Sequence, residues 1–147
     1  MSTVAQVCAL LVAICNAVAG VVSGVQWWRV QPQRWTWVLI RVGQVTAVIQ
    51  AAVSGMLALS GFKPSDGLFW LYALLPVAVG FVAEQLRLAS AQQVLEQRGL
   101  EDAQAVGRLP EEEQRSVVRQ ILRRELGVMS AAALVTAFLA LRALGTV

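Results

Sequence analysis

Histidine is absent from the 147-residue chain. Its absence removes the usual general base near neutral pH, the usual haem ligand and the commonest metal ligand together. Cysteine is nearly absent, with Cys8 and Cys15 alone and no CxxC pair. Seven residues apart, they share a helix face but stand about 10 Å apart along it, too far for a disulfide, and they read as small apolar residues. Charge is scarce as well. Asp, Glu, Lys and Arg make up 14% of the chain, against about 25% in a soluble domain, which is too little to cover a soluble surface. No carboxylate falls in the central third of any long apolar run, which disfavours a proton- or cation-coupled pump. GxSxG, Walker A, GxGxxG, HExxH and paired-carboxylate arrays are all missing. No catalytic centre, no cofactor and no metal site is therefore expected. An enzyme acting on a lipid would have only Glu84, Glu125 and the arginines near one membrane face to work with.

Apolar residues make up 57% of the chain, and the mean hydropathy is +0.62. They lie in long runs, so the expected solvent is a bilayer. The runs predict four spans, at about 4–25, 36–60, 68–84 and 126–144. Each approaches the ~20 residues that a membrane requires. No basic stretch precedes the first run, which is expected to span rather than to be cleaved. The predicted architecture is all-α: one transmembrane domain over 1–147, a four-helix bundle whose third and fourth helices extend into a cytoplasmic helical hairpin at about 85–125. Each extension is about 16 residues, or about 24 Å. Pro76 is expected to kink the third helix, Gly99 to cap its end, and Pro110 with Glu111–Glu113 to start the fourth.

Trp27, Trp28, Trp35 and Trp37 bracket the first loop and set it at a membrane interface. Phe69, Trp70 and Tyr72 anchor the opposite side. Ten of the twelve basic residues fall in the first and third loops, leaving Lys63 and Arg142 for the other side. The positive-inside rule then puts those loops in the cytoplasm and both termini outside. Arg outnumbers Lys eleven to one, which together with abundant Ala and Val fits a GC-rich bacterial genome and a bacterial inner (plasma) membrane.

Several polar groups fall within the spans. Asn16 shares a face with Gly20 and Gly24, a GxxxG spacing that lets backbones approach closely. Gly43, Ala47, Gln50 and Ser54 form one stripe of the second span, with Gln44 close by. Asn16, Gln44, Gln50 and Ser54 can serve as interhelical glue or can line a pore. Arg41 lies about one and a half turns inside the second span. Glu84 ends the third at similar depth, and because an isolated charge there is expensive the two are expected to pair. In the hairpin, Arg115, Arg119 and Arg123 repeat every four residues, with Arg124 beside them. They form either a solvated face or a contact for anionic headgroups. Nearby acids nearly cancel the charge and no aromatics interleave, so no nucleic acid is expected as a partner. Two functions stay open. One is a structural or accessory membrane protein packing against partners, as a homo-oligomer or as a subunit of a larger membrane complex. The other is a homo-oligomeric channel, transporter or holin-like pore.

Overall fold

The computed structural model describes all of residues 1–147. Its helices are α1 (Ser2–Arg29), α2 (Arg34–Leu59), α3 (Leu68–Gln97), the short α4 (Ala103–Gly107) and α5 (Glu111–Leu144), and there are no strands. Four of them, α1, α2, α3 and α5, are long and apolar enough to cross a membrane. The chain is a multi-pass membrane protein built as a helical bundle.

α1 extends beyond the apolar run at 4–25, through Trp27, Trp28 and Arg29. Backbone hydrogen bonding does not stop where hydropathy falls. α3 continues past Pro76 to Gln97, and α5 runs unbroken across Gly127. α4 occupies the connector between them, and the Asp102 side chain accepts a hydrogen bond from the Ala105 N–H at 2.8 Å to start it. Three helices end in the same way. After α2 and α3 the chain turns left-handed at Gly61 (φ +75°) and Gly99 (φ +68°). The next N–H then reaches back to the last turn, Phe62 to the Leu57 carbonyl and Leu100 to the Leu95 carbonyl. After α1 the same closure joins the Gln31 N–H to the Gln26 carbonyl, but the left-handed residue is Val30 (φ 55°).

The helices form a ring in the order α1, α2, α3, α5, each packed on its two neighbours. Buried residues recur at alternating spacings of three and four. In α1 they include Ala5, Ala9, Val12, Asn16, Ala19 and Ser23, and in α2 Ile40, Gly43, Ala47, Gln50, Ser54 and Leu57. That rhythm is the 3-4 packing of nearly parallel helices. The radial distribution suits lipid. Alanine, glycine and serine face inward, while Val4, Leu11, Val45, Ile49, Phe81 and Phe138 are half exposed or more. Lipid tails are as apolar as leucine, so large side chains gain nothing by turning inward, and close backbone approach holds the bundle together.

Both termini lie at the end that carries the α2–α3 loop. There Ser65 Oγ donates to the Thr146 and Val147 carbonyls at 3.0 and 3.1 Å. Phe62, Phe69 and Trp70 pack edge to face beneath that loop. The α1–α2 loop and the hairpin are at the other end. The hairpin has a small core of its own: Val94 and Leu95 of α3 meet Val117 and Ile121 of α5, and α4 contributes Val106.

Candidate functional site

Close approach fixes the polar groups at depth. Asn16 donates its amide to the Val12 carbonyl at 2.9 Å and across to the Gly43 carbonyl of α2 at 3.1 Å. A Cβ at Gly43 would lie 2.7 Å from Asn16 Oδ1, so glycine is what admits the amide. On the α1–α5 seam, Ser130 Oγ donates to the Gly20 carbonyl at 2.8 Å. A Cβ at Gly20 would fall 2.7 Å from Leu134 Cγ, and one at Gly24 2.9 Å from Ser130 Oγ. Gly20 and Gly24 thus face α5, and Gly43 faces α1. Ser54 is buried further along the α2 stripe. Gln50, 2% exposed, has no hydrogen-bond partner for either side-chain atom.

Where the spans end on the hairpin side, charges gather. Arg41 Nη1 donates to Glu84 Oε1 and to Gln44 Oε1, each at 2.6 Å. Gln44 Nε2 donates to the same Glu84 oxygen at 2.9 Å, and Arg87 Nε to its other oxygen at 3.0 Å. Arg87 also lies 3.8 Å from Glu125 of α5 and over the Trp37 ring at 5.6 Å. Two arginines and two glutamates, neutral as a set, tie α2, α3 and α5 together at one depth. Arg87, Glu125 and Trp37 had no place in the pairing inferred from depth alone. They join through the rotation of α3 and α5 about their axes, for which sequence offers no signal beyond helical spacing.

Beneath this cluster lies a cavity of about 240 Å³ that reaches all four long helices. Asn16 and Gln44 of the four polar candidates line it, whereas Gln50 and Ser54 do not.

The hairpin arginines divide. Arg115, Arg119 and Arg123 line a cleft of about 400 Å³ together with Arg98, just past the end of α3, and Val30 of the α1–α2 loop, with Glu112 as the lone acid. Arg98 is held by Gln120 Oε1 at 2.9 Å and Ser116 Oγ at 3.1 Å. Arg123 is stacked over Trp27 at 5.6 Å, and Trp27 packs where a Cβ at Gly127 would come 3.0 Å from its Nε1. Arg124 turns away from the cleft and donates to Gln93 and Gln97, clamping α5 to α3.

No family model, no curated protein and no solved structure matches this chain.

The arrangement can bind and position; it assembles no nucleophile beside a base. Sequence spacing places Arg115, Arg119 and Arg123 on one face, but misses Arg98, which arrives from the other arm of the hairpin.

Proposed function

We propose that this protein is a non-enzymatic accessory membrane protein, whose four spans form a frame that presents the hairpin to a partner subunit in a larger membrane assembly. The arginine cleft carries this reading. Inside the bundle, Asn16, Gln44, Ser130 and Glu84 are engaged with neighbouring helices. The charge left to face outward is concentrated at Arg119 and Arg123 of this cleft, since Arg115 is already paired with Glu111 of its own helix, with the half-exposed Val118 alongside. Rim charges of one sign steer and orient an oppositely charged partner, so the partner surface is acidic. In this reading the hairpin is cytoplasmic and both termini are outside, in a bacterial plasma membrane.

A homo-oligomeric pore receives less support. Such a pore needs polar residues on the outer face of a span, where subunits meet. At depth those faces carry Val45, Val48, Ile49, Leu74, Phe81 and Phe138, whereas Asn16, Gln50 and Ser54 are buried within the bundle.

Native mass spectrometry from a mild detergent tests the proposal. A stoichiometric second subunit is expected, released by Arg119→Glu with Arg123→Glu while the bundle keeps its helicity. A pure homo-oligomer that conducts ions in liposomes, with flux altered by Gln50→Leu, would overturn it in favour of the pore.

A further inference from the structure

Of the four neighbouring seams, α2–α3 is the least closely packed. Its shortfall is the 240 Å³ cavity. The mouth is apolar and faces the bilayer through Val48, Val77 and Phe81, which are 56%, 37% and 66% exposed. Gly80 lies in the wall, and a Cβ there would meet nothing within 4 Å. Its missing side chain is therefore not taken up by helix packing, in contrast to Gly20 and Gly43.

The back of the cavity is polar. Asn16 and Thr136, 4% and 5% exposed, both line it. Asn16 spends its N–H groups on the Val12 and Gly43 carbonyls, which leaves Oδ1 as an acceptor with no protein donor. Thr136 Oγ1 also makes no hydrogen bond within the protein, and at this depth no bulk water is at hand to satisfy either group. The register set by Ser130 against Gly20 puts Asn16 and Thr136 within about one helical turn of each other in depth. At the hairpin end, Gln44 and Glu84 close the cavity, and Glu84 is already held by Arg41 and Arg87.

We propose that this cavity binds a neutral, hydroxyl-bearing lipid of the acylglycerol class, entering from the bilayer between α2 and α3. The hydroxyl donates to Asn16 Oδ1 and accepts from Thr136 Oγ1, which one group of that kind can do at once. The ligand is neutral because a charge at this depth is costly and the one carboxylate within reach is already paired with arginines. The acyl chain leaves through the mouth at Val48 and Phe81, where it stays in lipid. The volume falls below the roughly 300–1,000 Å³ of a pocket that engulfs a drug-sized ligand, so the cavity takes the head and the first carbons only.

The test is a titration of radiolabelled 1-monooleoylglycerol against the full chain in phosphatidylcholine nanodiscs, with methyl oleate as competitor. Saturable binding of one molecule per chain is expected, with methyl oleate, which has no hydroxyl, failing to compete. Gly80→Leu fills the cavity and should weaken binding at least about tenfold. Thr136→Val keeps the shape, removes the hydroxyl, and should weaken it about three- to tenfold, the range of one membrane hydrogen bond. If Gly80→Leu does not fold, Thr136→Val decides alone. Equal competition by methyl oleate, wild-type affinity in either folded variant, or binding that never saturates would each overturn the proposal.

Discussion

Gly20→Ala adds a methyl group where α1 and α5 leave no room for one. The new Cβ would stand 2.7 and 2.8 Å from Leu134 Cγ and Cδ2, and 3.1 Å from the Leu134 backbone nitrogen, whereas ordinary contact is 3.4–4 Å. A side-chain tip can swing aside, but Cγ and a backbone nitrogen cannot without moving the helix. Overpacking of this kind costs about 1–3 kcal/mol. Moving the seam apart also stretches the 2.8 Å bond from Ser130 to the Gly20 carbonyl, worth about 0.6 kcal/mol for an average membrane hydrogen bond. Alanine is the better helix former by about 1 kcal/mol, and that gain is removed by comparison with Gly55→Ala. Gly55 is an exposed α2 glycine whose Cβ would meet nothing within 4 Å. The two variants should therefore differ by about 1.5–3.5 kcal/mol. Gly24→Ala should fall between them, because its one close neighbour, Ser130 Oγ at 2.9 Å, can rotate away. Reversible unfolding in mixed dodecyl maltoside and SDS micelles, followed by far-UV circular dichroism, reads all three. If Gly20→Ala lies within about 0.5 kcal/mol of Gly55→Ala, less than either contribution, then α1 and α5 are not held at the separation described and the small-residue account of the bundle is wrong.

Val30→Gly should stabilise the protein by about 1 kcal/mol in the same assay. A β-branched residue in the left-handed region costs about 1–2 kcal/mol, which glycine avoids at some cost in chain entropy; a lower midpoint would mean that α1 does not end in that conformation. Gln50→Leu should raise stability by about 1–3 kcal/mol, because it replaces a buried amide without partners by an apolar side chain of similar size. A loss of more than about 1 kcal/mol, the worth of a typical hydrogen bond, would show that the amide is bonded in the folded protein.

The spans can be read from sequence because a bilayer requires about twenty apolar residues in succession, and few other solvents would tolerate them. The α5 start is equally plain, since Pro110 ahead of Glu111, Glu112 and Glu113 matches a helix N-terminus. Gly99 announces its left-handed turn by being glycine. Val30 does not, because nothing in Val30-Gln31-Pro32 marks a residue forced into that conformation. Depth along the axis is also legible, and it puts Arg41 and Glu84, 2.6 Å apart in the folded chain, at one level. Rotation about the axis is not. Arg87 reaches Glu125, and Arg98 reaches the cleft, through angles that a repeat of 3.6 residues leaves free by tens of degrees over several turns.

The α2–α3 cavity was hidden for a related reason. Gly20, Gly43 and Gly80 are indistinguishable as letters, and small residues at helical spacing all suggest close packing. In the folded chain Gly20 and Gly43 are filled by Leu134 and Asn16, while Gly80 meets nothing. The difference comes from the seam itself, because Val48 of α2 and Phe81, next to Gly80 on α3, lie at the mouth of the cavity and point largely to lipid. A bundle held by close approach has little spare volume, so a gap that exposes two buried polar groups to the bilayer is an expensive arrangement. A hydroxyl supplied from the bilayer would offset that expense, which ties the gap at Gly80 to the unpartnered oxygens of Asn16 and Thr136 as parts of one site.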